Sequence, residues 1–268
     1  HNLAAYEALA STPSIRHILA RHEQGAGFMA DGFARASGDF GVCLSTTGPA
    51  ALNVLTPLGT AYADSVPILS IASEIPAAGL GLGKGYLHEC RDQLGCYAPV
   101  TKFSALVTEV AAIGPTVADA IAAMRTGRPR PAALDIPCDI LDASAACEPV
   151  TQRERPGPSC DLEAVARAAE LLAVARSPLI WAGGGVMRSG ANVALVHLAE
   201  QLAAPVFCTV LGKGSIPDDH PLAAGAGFLH PAASRLREDC DVLLLLGTSL
   251  GQLETCNWQL EMPPIVIQ

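Results

Sequence analysis

Short apolar runs alternate with Ala-rich amphipathic stretches along the whole chain. The apolar runs have the length and composition of buried strands, and the Ala-rich stretches are long enough to form helices. In the first half the predicted strands are SIRHILAR, FGVCLSTTG, PILSIASE, TKFSALVT and AALDIPCD. The predicted helices are Glu23–Ala36, Ala50–Tyr62, His88–Tyr97 and Val117–Arg125. This alternation predicts βαβ units and a parallel sheet covered by helices on both faces.

A polar, proline-rich segment interrupts this pattern. Residues 147–160 read CEPVTQRERPGPSC and predict a linker between domains. The alternation then resumes with helix Asp161–Ala175, strand PLIWAGGG, helix Ala191–Ala203, strand PVFCTV, helix Pro231–Asp239, and strands DVLLLLGTS and PIVIQ. We therefore predict an α/β protein with two doubly wound parallel-sheet domains, residues 1–146 and a Rossmann-like domain at residues 161–268.

Composition and charge exclude several classes of protein. Half of the 268 residues are hydrophobic and 16% are charged, which suits large buried cores and argues against disorder. The net charge is −9 and no Lys/Arg cluster occurs, so we expect no nucleic-acid or membrane partner. No apolar run approaches the roughly 18 to 20 residues that span a bilayer.

The nine cysteines are scattered and no two have CxxC spacing. Several lie inside strand-like runs such as GVCLS and PVFCTV, where a free cysteine behaves as a small apolar residue. We expect reduced cysteines, a cytoplasmic location and no metal site among them.

The first chemically suggestive segment is RHEQGAGFMADGFARASG, residues 21–38. A predicted strand leads to Glu23, after which a helix begins that is unusually rich in glycine. Glycine costs about 1 kcal/mol relative to alanine inside a helix, so a closely approaching backbone or ligand is indicated. Glu23 is then either a carboxylate facing a ligand crevice or an ordinary acidic residue stabilised by the helix N-terminus.

Three further segments are candidates for binding. In STTGPAALN, residues 45–53, a predicted strand ends in a turn whose peptide groups could face a ligand, or the segment is an ordinary strand-to-helix connection. The glycine-rich stretch GLGKGYLHECRDQLG, residues 79–95, is either an active-site loop or a mobile surface loop. Gly183, Gly184 and Gly185 follow a strand and precede a helix, which is where a Rossmann-like domain binds phosphate.

In this order the segments resemble the acetolactate synthase-like group of thiamine-diphosphate enzymes, which includes relatives of benzaldehyde lyase, pyruvate oxidase and benzoylformate decarboxylase. RHEQGAGFMADGFARASG is similar to that group's RHE-x-x-A-x-x-A-x-G-x-A-R-x-x-G stretch, and STTGPAALN is similar to its TxGPGxxN turn. APVTKF resembles its P-x-TK turn, and SGA…GKGSIPDDHPL…DVLLLLG resembles its central domain.

The resemblance implies a role for each candidate residue. Glu23 matches the carboxylate that hydrogen-bonds the pyrimidine N1′ of thiamine diphosphate, and Gly48, Pro49 and Asn53 match the turn around the same ring. It also implies that His88, Glu89 and Gln93 lie where relatives place polar groups that face the substrate. The resemblance also implies Mg²⁺, a 2-keto acid substrate and a homodimer or homotetramer.

The chain departs from the group's pattern in four respects. Ala50 replaces the second glycine of GPG, which would be strained if that position required a positive φ. The GDG-to-Asn motif that holds diphosphate and Mg²⁺ has no match, and neither has the opening strand, so we expect this chain to be cut from a longer protein whose third domain is absent here. No R-F-D-D-R-like stretch occurs, which makes FAD doubtful.

The resemblance therefore implies a thiamine-diphosphate-dependent lyase or ligase of carbon–carbon bonds, acting on a 2-keto acid such as pyruvate. Two alternatives stay open. One is a non-catalytic module that binds a nucleotide or FAD at Gly183–Gly185, and the other is a fragment that is inactive without its diphosphate-binding domain.

Overall fold

The computed structural model of the protein describes residues 1–150 and 159–268. They fall into two compact units, His1–Pro158 and Ser159–Gln268. Each unit contains one sheet whose strands all run parallel, and helices connect most of the successive strands. The predicted fold class, two parallel-sheet α/β domains, is confirmed.

The first unit has a four-stranded sheet in the order β1-β2-β4-β3. Its strands are β1 (Gly41–Ser45), β2 (Ile68–Glu74), β3 (Phe103–Leu106) and β4 (Ala132–Pro137). Its helices are α1 (Leu3–Ala10), α2 (Glu23–Ser37), α3 (Pro49–Asn53), α4 (Leu55–Asp64), α5 (Gln93–Tyr97), α6 (Val110–Arg125) and α7 (Cys138–Asp142). Because the strands are parallel, their carboxyl ends meet at one edge of the sheet, where ligands usually bind in such folds.

Successive side chains of β2 point to opposite faces of this sheet, and each face carries its own core. On one face Ile68 packs in a cluster with residues of α2 and α4, including Ala30 and Leu58. On the other face Leu69 packs with Met124 of α6. Burial on both faces explains why β2 is mostly apolar; its serines and Glu74 are themselves buried.

The second unit has a five-stranded sheet in the order β7-β6-β5-β8-β9. Its strands are β5 (Pro178–Ala182), β6 (Val206–Cys208), β7 (Ala223–Gly225), β8 (Val242–Leu246) and β9 (Ile265–Ile267). Its helices are α8 (Leu162–Ala173), α9 (Gly184–Arg188), α10 (Asn192–Leu202) and α11 (Ser234–Glu238). Ile180 packs on one face with Ala199 of α10, and Trp181 packs on the other face against Phe228.

The strand predicted at SIRHILAR, residues 14–21, is wrong. This segment is irregular, and the sheet order among the described residues begins at β1. Ile15, Ile18 and Leu19 are at least half exposed. An apolar run becomes a strand only where another strand accepts its backbone hydrogen bonds, and the described residues provide none for this segment.

Several predicted helix boundaries also differ from the structure. The helix predicted at His88–Tyr97 begins only at Gln93, because His88 has a positive φ of 64° and Asp92 caps the helix by accepting from the Gly95 N–H. The helix predicted at Ala50–Tyr62 is divided into α3 and α4 at Val54. Strand β7 was not predicted from the sequence.

Of the predicted linker 147–160, residues 151–158 lie outside the described residues. Residues 147–150 and 159–160 are exposed and belong to no helix or strand.

Candidate active site

Glu23 is the first residue of α2, and its carboxylate contacts the end of α3. The Asn53 Nδ2 donates a hydrogen bond of 3.0 Å to Glu23 Oε2. No partner is recorded for Glu23 Oε1 among the described residues. His22 caps the helix, since its Nδ1 accepts from the Gln24 N–H at 3.0 Å. Glu23 therefore lies at a helix start and also contacts the turn that the sequence singled out.

The glycines of α2 have different surroundings. A Cβ on Gly27 would lie 2.3 Å from Cγ of Pro57 in α4, so this glycine allows the two helices to pack closely. A Cβ on Gly25 or Gly32 would meet no atom within 4 Å. The close neighbour at Gly27 is a proline side chain of the same chain and neither a backbone nor a ligand, whereas Gly25 and Gly32 face open space.

The turn between β1 and α3 depends on Gly48. Its φ is +63° and ψ is −117°, a conformation that glycine adopts without strain, and a Cβ there would lie 2.1 Å from the His88 carbonyl oxygen. Pro49 is the first residue of α3 and is exposed, while Ala50 is buried inside the helix. Since Gly48 carries the positive φ, Ala50 in place of the second glycine introduces no strain.

Gln93 is 2% exposed, and its amide lies beneath the Gly48 turn. Its Oε1 accepts from the Gly48 N–H at 2.6 Å. Its Nε2 donates to the Ser73 carbonyl oxygen at 3.1 Å and to Asp135 Oδ1 at 2.9 Å. The structure therefore brings Gln93 and Gly48 together, with the Gln93 side chain in the interior.

Asp135 was not identified from the sequence. It lies on β4, is fully buried, and burial raises its pKa to about 7. Its Oδ2 has no hydrogen-bond partner in the described part of the chain. The available signal was an acidic residue inside the otherwise apolar strand run AALDIP.

His88 and Glu89 belong to the loop that covers this turn. His88 is exposed, and its backbone lies against Gly48. Glu89 Oε2 accepts from the backbone N–H of Gly85 at 2.6 Å and of Tyr86 at 2.8 Å, so its carboxylate holds the glycine-rich loop. The loop borders an open cavity of about 570 Å³.

Gly183, Gly184 and Gly185 lie in the second unit, between β5 and α9. A Cβ on Gly183 or Gly185 would come within 2.6 Å of the Gly247 backbone, and a Cβ on Gly184 would lie 3.1 Å from the Leu211 carbonyl oxygen. Packing of neighbouring loops thus accounts for glycine at all three positions.

Residues 1–150 and 159–268 contain no group of three or more His, Cys, Asp or Glu side chains that could hold a metal ion. Among the same residues, no helix combines the length and the apolar character needed to cross a membrane.

Two family models match the chain. The N-terminal TPP binding domain of thiamine pyrophosphate enzymes matches residues 1–96, and the central domain of the same enzymes matches residues 165–268. The first match contains Glu23, Gly48 and Asn53, and the second contains Gly183–Gly185.

Individual relatives span a range of names. A "Probable 2-ketoarginine decarboxylase" from Pseudomonas aeruginosa is 45% identical over 266 residues, covering 98% of this chain and 46% of that protein. A "Probable acetolactate synthase large subunit" from Methanocaldococcus jannaschii is 40% identical, covering 91% of this chain and 42% of that protein. A "Glyoxylate carboligase" from Escherichia coli O157:H7 is 40% identical, covering 85% and 38%. The chain thus spans less than half the length of each of these relatives.

Proposed function

The chain belongs to the thiamine pyrophosphate enzyme family, and on that basis we propose that it forms the cofactor-activating part of an enzyme that makes or breaks a carbon–carbon bond of a 2-keto acid. The observation that carries the proposal is the contact between Glu23 and Asn53 beside the Gly48 turn. When bound, thiamine diphosphate supplies a carbon nucleophile for the keto group and takes up the electron pair left by carbon dioxide.

Glu23 has a carboxylate oxygen available for proton exchange, which supports the role that we propose for it. One carboxylate oxygen is held by Asn53, and the other has no recorded partner among the described residues. An Asn donor fixes the orientation of the carboxylate without neutralising its charge. We therefore assign Glu23 the role of holding and moving a proton at the pyrimidine N1′, and Asn53 the role of orienting it.

The turn at Gly48 and Pro49 lies directly against the loop that carries His88. A side chain at position 48 would collide with His88, so only glycine allows the turn and the loop to approach each other. We propose that Gly48, Pro49 and Asn53 surround the aminopyrimidine, and that His88 and Glu89 belong to the loop that borders the substrate.

The names of the relatives support a substrate class and no single compound. 2-Ketoarginine and glyoxylate, which appear in two of these names, both carry a keto or aldehyde carbonyl next to a carboxylate. We propose a 2-keto acid, with pyruvate as one candidate, because the substrate chemistry shared by these relatives is a carbonyl beside a leaving carboxylate.

The diphosphate and Mg²⁺ are assigned to a further domain. The described residues offer no cluster of metal-binding side chains, and the chain spans less than half of its relatives. We propose that residues 1–146 form the pyrimidine-binding domain, that 147–160 form the linker and that 161–268 belong to the central domain. FAD is not part of the proposal.

A second copy of the chain is the proposed partner. Phe28, Met29 and Phe33 of α2 are 42 to 59% exposed, on the helix that begins with Glu23. Exposed apolar side chains next to glycines with open space support close packing of another subunit there. We further propose a cytoplasmic location, because all nine cysteines are free.

The test is turnover of a 2-keto acid by the intact full-length protein carrying Glu23→Gln. Glutamine can still accept the hydrogen bond from Asn53 but cannot exchange a proton, so we expect decarboxylation to fall at least about 100-fold. Glu109→Gln, which changes an exposed carboxylate of the same unit, is the matched control and should keep full activity. Full activity of the Glu23→Gln protein would overturn the proposal.

A non-catalytic module that binds an adenine nucleotide or FAD at Gly183–Gly185 is the alternative function. Calorimetry on the intact protein separates the two. Thiamine diphosphate binding supports the enzyme, and binding of an adenine nucleotide alone supports the module. If the proposed enzymatic function is correct but requires a further domain, the 268-residue chain alone will not decarboxylate a 2-keto acid, even with excess cofactor and Mg²⁺.

A further inference from the structure

The Gln93 side chain is a buried amide whose two polar atoms bind three groups of the chain. A backbone N–H can only donate, so the atom facing Gly48 at 2.6 Å is the acceptor Oε1. The Nε2 then donates both of its hydrogens, to the Ser73 carbonyl and to Asp135 Oδ1. A buried amide that satisfies three groups on three different segments fixes those segments relative to one another.

The three segments meet at the carboxyl edge of the first sheet. Ser73 and Asp135 lie near the ends of neighbouring parallel strands, in which Ala72 pairs with Asp135. Gly48 follows the end of β1 and caps α3. Gln93 itself is the first residue of α5, which follows the glycine-rich loop.

This link continues from Gly48 to Glu23. Helix α3 is only five residues long, begins directly after Gly48 and ends at Asn53. Asn53 in turn donates to Glu23. A displacement of Gly48 therefore moves the start of a short rigid helix whose other end holds the carboxylate.

We propose that Gln93 is a positioning residue for the reaction of this site: its amide anchors the Gly48 turn to Asp135 in the sheet and so keeps α3 and Asn53 in register with Glu23. The inference rests on the proposed function, and it assigns Gln93 no contact with substrate. Thr46 and Thr47 also bind Ser73 through their hydroxyls, at 3.2 and 3.1 Å, but Gln93 alone binds the Gly48 N–H at the start of α3. Displacements of about 1 Å at a reacting group are costly to rate.

The experiment uses the intact full-length protein with Gln93→Leu, which has similar bulk and no polar atoms. The first measurement is hydrogen exchange at the Gly48 amide by fragmentation mass spectrometry, which is simplified because Pro49 has no amide hydrogen. We expect exchange to accelerate at least about tenfold, since the amide loses its acceptor. The second measurement is steady-state kinetics, in which we expect kcat to fall about tenfold while KM changes little.

Thr101→Val is the matched control for lost stability. Thr101 is also buried and its Oγ1 donates to the Tyr97 carbonyl at 2.8 Å, at the other end of α5 from Gln93. The Thr101→Val substitution should lower stability without changing kcat or the hydrogen exchange of the Gly48 amide. If Thr101→Val at equal loss of stability lowers kcat as much as Gln93→Leu, or if Gly48 exchange is unchanged in Gln93→Leu, the inference is wrong.

If the Gln93→Leu protein does not fold, a pair of substitutions that exchanges the donor and the acceptor between positions 93 and 135 tests the same proposal. Gln93→Glu retains the acceptor for Gly48 but places a second carboxylate against Asp135, so protection at Gly48 should fall. Adding Asp135→Asn restores an N–H donor across that contact, and protection should partly return. No recovery in the double variant would contradict the inference.

The same data separate this inference from the proposed function. A wild-type protein that binds thiamine diphosphate and turns over a 2-keto acid, with kcat unchanged by Gln93→Leu, overturns the inference and leaves the function intact. A wild-type protein that does neither overturns both.

Discussion

Asn53 and Glu23 are 30 residues apart in the chain, yet their side chains are joined by a hydrogen bond of 3.0 Å between Nδ2 and Oε2. Each lies at the end of a helix, Glu23 at the start of α2 and Asn53 at the end of α3. The pair connects the two segments that carry most of the chemistry predicted from the sequence.

We predict that Asn53→Ala lowers kcat about tenfold while KM for the 2-keto acid stays nearly constant, because the carboxylate loses its orienting donor and substrate binding is untouched. Asn53→Asp should be more damaging, since it places two carboxylates at hydrogen-bond distance. Steady-state kinetics on the intact protein measures both. Equal activity of the Ala and wild-type proteins would remove Asn53 from the site.

Gly48→Ala should destabilise the first unit by about 3 kcal/mol or more, because it combines an unfavourable φ with a collision against the His88 backbone. Gly81→Ala separates the two effects. Gly81 also has a positive φ, +72°, but a Cβ there meets nothing within 4 Å, so only about 1 kcal/mol should be lost. Urea unfolding measures the difference, and equal losses would contradict the predicted collision.

Gly27→Ala and Gly32→Ala should change stability in opposite directions. A methyl group at position 27 overlaps Pro57 of α4 and should cost about 1 to 3 kcal/mol. At position 32 it meets open space, so the gain in helix propensity should stabilise the isolated subunit by up to about 1 kcal/mol. Thermal unfolding of both variants checks the signs, and a stabilised Gly27→Ala protein would show that α2 and α4 do not pack as described.

Asp135→Asn should change how stability depends on pH. Burial raises the pKa of Asp135 from 3.8 in the unfolded chain to about 7, so the folded state binds the extra proton between these values. Its contribution is therefore fully present below about pH 4, is lost as pH rises to about 7, and is constant above that.

The groups that face Asp135 are Gln93, Glu74, Asp92, Tyr97 and Cys96. Burial also raises the pKa of Glu74, which adds a slope of the same sign that remains in the variant. At about 1.4 kcal/mol per pKa unit, Asp135→Asn should gain several kcal/mol over wild type at pH 8 and little at pH 4. Urea unfolding across this range measures the gain, with the exposed Asp219→Asn as control; an unchanged slope would contradict the prediction.

Phe33→Glu should weaken self-association of the intact protein, because it places a charge among the exposed apolar side chains of α2. Val193→Glu changes another exposed apolar residue, on α10, and should leave the assembly intact. Sedimentation velocity measures both proteins. If Phe33→Glu assembles as wild type does, the proposed subunit contact does not use α2.

The fold was largely predictable because its strands are buried on both faces. Central strands such as β5 and β8 are buried on both faces, so they appear in the sequence as apolar runs that few other structures require. Strand prediction failed where the composition of a segment did not reveal whether a neighbouring strand was present to pair with it. Ser14–Arg21 has strand-like composition yet lacks a neighbouring strand in the described chain, and β7, with the sequence Ala-Ala-Gly, carries no apolar signal at all.

Part of the candidate site was predictable for a different reason. Glu23, Gly48 and Asn53 lie in ordered segments whose spacing resembles a known family, and local chain geometry requires glycine at position 48. The contact between Gln93 and Asp135 has no such local signature, because 42 residues and a strand crossover separate them.

By itself, the sequence determined the layered α/β architecture, the family and the acidic residue at the centre of the proposed chemistry, since these depend on apolar periodicity and on local motifs. Only the tertiary structure decided which side chains meet: Asn53 with Glu23, and Gln93 with Gly48 and Asp135. The physical reason is that a buried polar group must find its hydrogen-bond partners wherever the packed strands place them, and that placement is a property of the sheet as a whole.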